Sequence, residues 1–302
     1  MALWLIVTIF AYFFFALSSL GDKLVLAGPP KASTYTFYVG LLSVLVVVLI
    51  PFANLNIPKS ETIFWIVLTS VVHLIGIYMM FLAVEKFEVS KVITTIGATQ
   101  PVFIFGLTWI FFGAQEMNAI NMLAFALLLL GSIIISLESR REKLNGYLKI
   151  VLISSVMFSL DYVFQKKLFL DQTFLQGLIW MRLTLFVLAL VFLFSKKTRD
   201  GIFFRRKEKI DKTTSIIFLS AQGAGGLANV LQSLAIFLVP IYFLPIVNSL
   251  RGIQYVFLFL MTLFFTLFLP KILKEKISKQ IIAQKIVSTI LIGIGFWLLV
   301  AS

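Results

Sequence analysis

Apolar segments of about 20 residues recur along the entire chain, and this feature limits the possible folds more than any other. An α-helix needs about 20 apolar residues to cross roughly 30 Å of hydrocarbon. Of the 302 residues, 60% are hydrophobic and only 13% are charged, which is about half the charged fraction of a soluble domain. The ten-residue alternation of barrel strands does not occur, and helices satisfy their own backbone polar groups. The sequence therefore predicts an all-α integral membrane protein.

Ten apolar blocks can be delimited, and each is predicted to form one transmembrane helix. Short polar or proline-containing segments separate the blocks. The N-terminus has neither a basic n-region nor a small-residue cleavage site, so it is predicted to begin the first helix. The ten predicted helices cover approximately residues 2–20, 33–53, 63–84, 91–112, 117–137, 147–165, 173–195, 214–237, 241–269 and 281–301.

Basic residues are distributed unequally between the two sets of alternate connections. With ten helices, 21 Lys and Arg residues fall on one side of the membrane, and only Lys59, Lys166 and Lys167 fall on the other. The positive-inside rule places the basic side in the cytoplasm and both termini outside, in a cell membrane (inner or plasma membrane). The net charge of +13 comes mainly from these connections, so no nucleic-acid partner is expected.

The two halves of the chain resemble each other. A shift of 154 residues aligns residues 100–111 with residues 254–265, and six of the twelve positions are identical, including one Gln and one Thr. A weaker match aligns Phe15 with Phe158. Such self-similarity indicates an internal repeat.

Each predicted repeat contains five helices, which is an odd number, so the second repeat would cross the membrane in the opposite direction to the first. We therefore predict ten transmembrane helices arranged as two inverted five-helix repeats, residues 1–142 and residues 143–302.

Three short motifs lie in predicted helix 4 and at the turns into predicted helices 5 and 10. Residues 98–103 (ATQPVF) lie in helix 4, residues 112–116 (FGAQE) form the turn into helix 5, and residues 274–276 (KEK) form the turn into helix 10. Gly131 and Gly295 lie within helices 5 and 10. With the ten-helix pattern, these motifs resemble the drug/metabolite transporter (DMT) superfamily, in its branch built from two EamA-type repeats.

This resemblance implies a secondary transporter of small metabolites, amino-acid-like or other small polar or anionic solutes, working by alternating access and commonly as an exporter. It implies a central cavity lined mainly by helices 1, 3, 4, 6, 8 and 9. The implied partners are a small-molecule substrate, the lipid bilayer, and a coupling proton or counter-solute.

Two alternatives are a carrier of phosphorylated or lipid-linked solutes and an intramembrane lipid-modifying enzyme. The enzyme would need clustered catalytic carboxylates, histidines or metal ligands, and the sequence contains no such cluster and no nucleotide-binding or hydrolase motif. No catalytic residue, metal or cofactor is therefore predicted.

Asp161 and Arg182 carry opposite charges within consecutive predicted helices, at similar distances from the turn that joins them. An ionisable side chain in the hydrocarbon region is costly and is retained for a structural or functional reason. We predict an intramembrane ion pair, which either clamps helix 6 to helix 7 or takes part in function.

Arg251 has no evident carboxylate at matching depth on a neighbouring helix, which is typical of a residue that faces an aqueous cavity or an anionic ligand. Asn248, Gln254 and Tyr255 flank it, and positions 248, 251 and 255 share one helical face. Gln100 occupies the place in the first repeat that Gln254 occupies in the second. These five residues are predicted to contact substrate.

His73 is the only histidine, which excludes a multi-His metal site. A lone His in a helix serves either as a hydrogen-bonded packing residue or as a proton carrier, because imidazole titrates near neutral pH. Asn229 and Gln232 in helix 8 are expected at a depth comparable with that of His73, and these three residues complete the predicted substrate-binding set.

Overall fold

The computed structural model describes residues 2–25, 32–87, 89–113, 117–136, 146–203, 212–268 and 279–301. Across these ranges the secondary structure is helical, with no strand. The α-helices of the described ranges are Leu3–Val25 (α1), Ala32–Leu42 (α2), Ser60–Lys86 (α3), Val89–Phe112 (α4), Ala119–Ser136 (α5), Tyr147–Asp171 (α6), Phe174–Ala189 (α7), Lys196–Phe203 (α8), Lys212–Leu238 (α9), Leu244–Ser249 (α10), Arg251–Phe268 (α11) and Lys279–Ala301 (α12). The 3₁₀ segments Ser43–Phe52, Leu190–Phe194 and Ile241–Phe243 adjoin α2, α7 and α10.

Within the described residues, eight helical segments are long and apolar enough to cross a membrane. They are Leu3–Gly21, Ala32–Phe52, Ser60–Lys86, Val92–Phe112, Leu148–Asp171, Phe174–Phe194, Ile241–Phe268 and Ile282–Ala301. This confirms an all-α fold of the multi-pass membrane type.

All ten predicted blocks contain helix, but two of them fall outside this set of eight. Helix α5 is short, with an apolar stretch of Ala119–Ile135. Helix α9, the predicted helix 8, is longer but carries the side-chain amides of Gln222, Asn229 and Gln232. The number of ten membrane crossings therefore stays a prediction.

Helix α6 ends later than predicted, and one helix occurs in a predicted connection. Helix α6 continues to Asp171, so Lys166 and Lys167 belong to its last turns and not to a connection. Lys166 is only 5% exposed, because its long apolar stem can pack inside the protein. Helix α8 lies in a segment predicted as a connection; its charged residues gave no apolar signal.

The helices form two compact units that do not coincide with the predicted repeats. Unit 1 comprises Met1–Gly28, Ala114–Glu138 and Glu208–Ser302, and unit 2 comprises Pro29–Gly113 and Ser139–Lys207. Each unit takes helices from both halves of the sequence, because packing partners in a helical bundle need not be neighbours in the chain. The repeat boundaries themselves stay a prediction.

In unit 1, α1 packs against α9 and α11, and α5 packs against α12 and α11. Small residues allow close approach: a Cβ on Gly225 of α9 would lie 2.9 Å from Ser18 Oγ of α1. Such small-residue contacts are typical of membrane helices, which associate mainly by van der Waals packing.

In unit 2, α3 packs against α6, α7 and α2, and α6 packs against α4. The α3–α6 contact is tight at Gly76, where a Cβ would lie 3.0 Å from the Phe158 ring. Ser154 Oγ donates to the Gly76 carbonyl at 2.9 Å. This hydrogen bond fixes the two helices at the level of the polar residues described next.

Candidate functional site

Polar side chains of α3, α6 and α7 surround a small cavity within unit 2. Each helix contributes from one face, since its lining residues are spaced by one, three or four positions. The cavity has room for about one water molecule. Its lining residues are Thr69, Ser70, His73, Asp161, Gln165, Met181, Arg182 and Leu185.

The buried carboxylate of Asp161 accepts hydrogen bonds at this cavity. His73 Nδ1 lies 2.9 Å from Asp161 Oδ2, and Gln165 Nε2 donates to the same oxygen at 3.0 Å. The His73 and Asp161 side chains are 15% and 6% exposed. Residue 73 lies midway between the ends of α3, about 20 Å from either end. A buried carboxylate at this depth requires such partners, because an unpaired charge in hydrocarbon costs several kcal/mol.

Arg182 contributes a positive charge to the same cavity from α7. Asp161 interacts with it electrostatically, but the hydrogen bonds described for the carboxylate go to His73 and Gln165. The Arg182 backbone carbonyl accepts a hydrogen bond from Ser43 Oγ at 2.9 Å. The structure thus brings Asp161 and Arg182 to one cavity, as expected for consecutive helices, and direct pairing between them stays a prediction.

The His73–Asp161 contact was not predicted from the sequence. The two residues are separated by 88 positions, and nothing in either helix alone indicates which neighbour it packs against. The one available signal was that both are ionisable residues near the centres of apolar blocks.

In unit 1, the predicted helix 9 is interrupted between α10 and α11. Ile253 N donates to the Leu250 carbonyl at 2.9 Å, a 3₁₀-type bond that replaces the regular bond to residue 249. Ser132 Oγ of α5 donates to the Ser249 carbonyl at 3.0 Å. Neighbouring helices thus satisfy backbone groups that the interruption leaves free, as burial in a membrane protein requires.

Three predicted site residues lie at or beside this interruption. Asn248 is fully buried, and neither of its amide atoms has a hydrogen-bond partner among the described residues. Arg251 and Tyr255 are partly buried, one and two turns further on. Tyr255 interacts electrostatically with Arg251 and with Tyr12 of α1, and the Tyr12 hydroxyl donates to the Val247 carbonyl at 2.8 Å.

The two glutamines that the repeat aligns occupy similar places in their respective units. Gln254 of α11 is 7% exposed and donates through Nε2 to Ser19 Oγ of α1 at 3.4 Å. Gln100 of α4 is 1% exposed, and its backbone carbonyl accepts a hydrogen bond from Ser159 Oγ of α6 at 3.2 Å. Both lie where the fourth helix of one predicted repeat meets the first helix of the other.

The two amides of α9 differ in their surroundings. Asn229 Nδ2 donates to the Gly225 carbonyl within its own helix at 2.8 Å. Gln232 has a buried Nε2 with no hydrogen-bond partner among the described residues. Of the eight predicted substrate-binding residues, His73 and Gln100 belong to unit 2, and the other six belong to unit 1.

The described residues hold no group of three or more His, Cys, Asp or Glu side chains that could bind a metal ion. The polar groups at the unit 2 cavity and at the unit 1 interruption are mainly amides, hydroxyls and guanidinium groups. Such groups are suited to hydrogen bonding with a polar or anionic molecule.

No protein-family model matches the sequence, and neither does any curated protein. The fold, in contrast, is shared: 28 chains of solved structure match it. One of them, described only as "Crystal structure of protein", aligns over 98% of this chain and 99% of its own length, with a TM-score of 0.67 and 11% sequence identity. At this identity the similarity shows that the chain has a fold found in other proteins.

Proposed function

We propose that this chain is a secondary transporter that moves a small polar or anionic solute across a membrane by alternating access. The observation that supports it most directly is the buried Asn248 amide, without a partner among the described residues, at a helix interruption beside Arg251. Interrupted membrane helices form the substrate and ion sites of many transporters, because their free polar groups can bind a ligand.

The chemistry of this cluster suits a small anionic or zwitterionic solute, including the amino-acid-like solutes that the family resemblance implies. An unpaired buried amide costs about 1–3 kcal/mol, and a bound solute that pairs with it removes this cost. The planar guanidinium of Arg251 can bind a carboxylate through two parallel hydrogen bonds. Tyr255 adds a hydroxyl group one turn further along α11.

Packing between α5 and α12 supports the two inverted repeats of ten helices. A Cβ on Gly131 would meet Ile292 Cγ1, the Ser288 carbonyl and Ile292 N, and a Cβ on Gly295 would meet Leu128 Cγ, the Ala124 carbonyl and Leu128 N. Each residue of the first set differs by 164 positions from its counterpart in the second set. The counterparts are Gly131 and Gly295, Ile292 and Leu128, and Ser288 and Ala124.

The order of these contacts also carries the direction of the two helices. Residue numbers increase along α5 as they decrease along α12, so the equivalent helices pack antiparallel and reciprocally. Antiparallel packing of equivalent helices is what a two-fold axis perpendicular to the helices produces, and inverted repeats have such an axis in the membrane plane.

Other helix pairs follow the same correspondence. Contacts of α1 with α9 in unit 1 are matched by contacts of α6 with α3 in unit 2, and α1 with α11 is matched by α6 with α4. At residue level, the alignment of Phe15 with Phe158 equates Tyr12 with Ser155. Tyr12 binds the α10 backbone, and Ser155 Oγ lies 2.8 Å from Thr99 Oγ1 of α4.

We include in this proposal the membership of the DMT superfamily, EamA-type branch, that the motifs suggest. The orientation with basic connections in the cytoplasm and both termini outside a cell membrane is part of it too, as is export. The support for orientation is the asymmetry of basic residues; of the three on the opposite side, only Lys59 lies in a described connection.

Purified protein in liposomes provides the test. Uptake and efflux of a mixed panel of amino acids, organic acids and phosphorylated metabolites would be followed by mass spectrometry. We expect Arg251→Gln to abolish transport without loss of folded protein, and Arg251→Lys to recover little, because an ammonium group cannot reproduce the planar fork. Arg199→Gln in the exposed part of α8 is the matched control and should transport normally. Normal transport by Arg251→Gln would contradict the assignment of this site.

The same assay separates the alternatives. Selective movement of phosphorylated or lipid-linked solutes would favour a carrier of that class. Chemical conversion of a lipid, with no solute movement, would favour an intramembrane enzyme.

A further inference from the structure

The only histidine of the chain contacts a buried carboxylate near the centre of the unit 2 helices. His73 Nδ1 lies 2.9 Å from Asp161 Oδ2, with side-chain exposures of 15% and 6%. An ionised carboxylate can only accept hydrogen bonds, so a neutral His73 beside an ionised Asp161 carries its proton on Nδ1. The Nε2 atom is then the free nitrogen to which a further proton can add.

We propose that His73 and Asp161 form a proton-binding site, and that its proton is the coupling ion of transport. The second part rests on the proposed transport function. Imidazole is the side chain whose ordinary titration falls between about pH 5 and pH 8. A proton from water adds to Nε2, and the resulting imidazolium keeps its hydrogen bond to Asp161. No other atom is exchanged in this step.

A positively charged residue also lines the cavity that holds the pair. Arg182 of α7 lines the same cavity and carries the charge opposite to that of Asp161. With His73 neutral, the charges of Asp161 and Arg182 sum to zero, and binding of the proton to His73 raises the net charge of the three residues to +1. Gln165, Thr69 and Ser70 provide neutral hydrogen-bonding groups.

Further charged residues on the packed elements lie toward the helix ends. Residues 32–52, which pack against α3 and α7, contain no charged residue. Helix α4 contributes the neutral Thr99 and Gln100 at its contact with α6. The other charged residues are Glu61, Glu85 and Lys86 of α3, Lys91 of α4, and Lys149, Lys166, Lys167 and Asp171 of α6.

The equivalent helix pair of unit 1 shows that packing alone does not require an ionisable pair. The alignment of Phe15 with Phe158 places Ser18 of α1 at the position of Asp161. There α1 and α9 pack closely through Ser18 and Gly225. The two ionisable residues are therefore an addition specific to unit 2, as a functional site would be.

Because His73 is the only histidine, histidine labelled with ¹⁵N reports on this site alone. Solid-state NMR of the full chain in lipid bilayers should show the neutral Nδ1–H form near pH 8 and a doubly protonated ring near pH 5. Asp161→Asn should abolish the preference for Nδ1–H. Asp171→Asn, the same substitution at the exposed end of α6, should leave the spectrum unchanged.

A wild-type imidazole in the Nε2–H form, or one that stays neutral down to pH 5, would overturn the proton site, and neither result depends on a variant folding. An Asp161→Asn spectrum identical to that of the wild type would do the same.

A transport arm tests coupling separately. In proteoliposomes at zero membrane potential, a gradient of one pH unit should drive up to about tenfold accumulation at one proton per solute. His73→Gln should reduce the accumulation ratio to about one. If the wild type moves solute at the same rate and to the same ratio with and without the pH gradient, coupling is refuted and the transport function stands. If no solute moves under any condition, the transport function fails, and the NMR result still decides the proton site.

Discussion

Replacing Gly295 with alanine tests whether the reciprocal α5–α12 contact stabilises the protein. A Cβ at this position would lie 3.0 Å from the Ala124 carbonyl oxygen and 3.1 Å from Leu128 N. These are backbone atoms of α5, which cannot rotate away as a flexible side chain can. Ordinary contacts of a carbon atom are about 3.5–4.0 Å, so the helices must separate by about 0.5 Å.

Overpacking on this scale costs about 1–3 kcal/mol. The preference of alanine over glycine in a helix offsets about 0.5–1 kcal/mol of that cost. We therefore expect Gly295→Ala to lower the free energy of unfolding by about 1–2 kcal/mol. Gly131→Ala should cost at least as much, because its Cβ would lie 2.7 Å from Ile292 Cγ1 and 3.1 Å from the Ser288 carbonyl oxygen.

The matched control is Gly293→Ala on the same helix. A Cβ on Gly293 would have no neighbouring atom within 4 Å, so this variant should be as stable as the wild type or gain up to about 1 kcal/mol. Unfolding would be measured by far-UV circular dichroism during titration of detergent micelles with a denaturing detergent. Equal stability of Gly295→Ala and Gly293→Ala would refute the reasoning, as would a Gly131→Ala variant as stable as the wild type.

Three further outcomes are expected. Asn248→Leu should leave thermal stability unchanged or raise it, because it removes an amide without a hydrogen-bond partner among the described residues. The same variant should abolish solute flux, and normal flux would show that the amide does not bind solute. Neutralising Asp161 and Arg182 together should reduce the yield of folded protein less than the two single changes summed, and additive losses would mean that the residues do not interact. Arg199→Cys, in a chain with no natural cysteine, should resist membrane-impermeant thiol labelling in intact cells, and rapid labelling there would reverse the predicted orientation.

Helix positions followed from the sequence because a membrane helix is decided locally. Length and apolar composition within about 20 residues suffice, since the backbone satisfies its own polar groups. Candidate residues within one helix were found for the same reason. Asn248, Arg251 and Tyr255 could be grouped because they are separated by only three and four positions. Charged segments such as Lys196–Phe203 gave no such signal, although they too form helix.

The pairing of helices was decided by tertiary structure alone. His73 and Asp161 meet because α3 packs against α6, and the apolar composition of these two helices does not specify that partner. In lipid, the hydrophobic effect does not select between neighbours, so detailed fit selects them, as at Gly76 against Phe158. At the interruption before Arg251, the Ser249 carbonyl likewise accepts a hydrogen bond from Ser132 of another helix. The sequence by itself determined which segments form apolar helices. Only packing decided which of their polar groups meet, because that choice depends on side-chain shape at contacts distant in the chain.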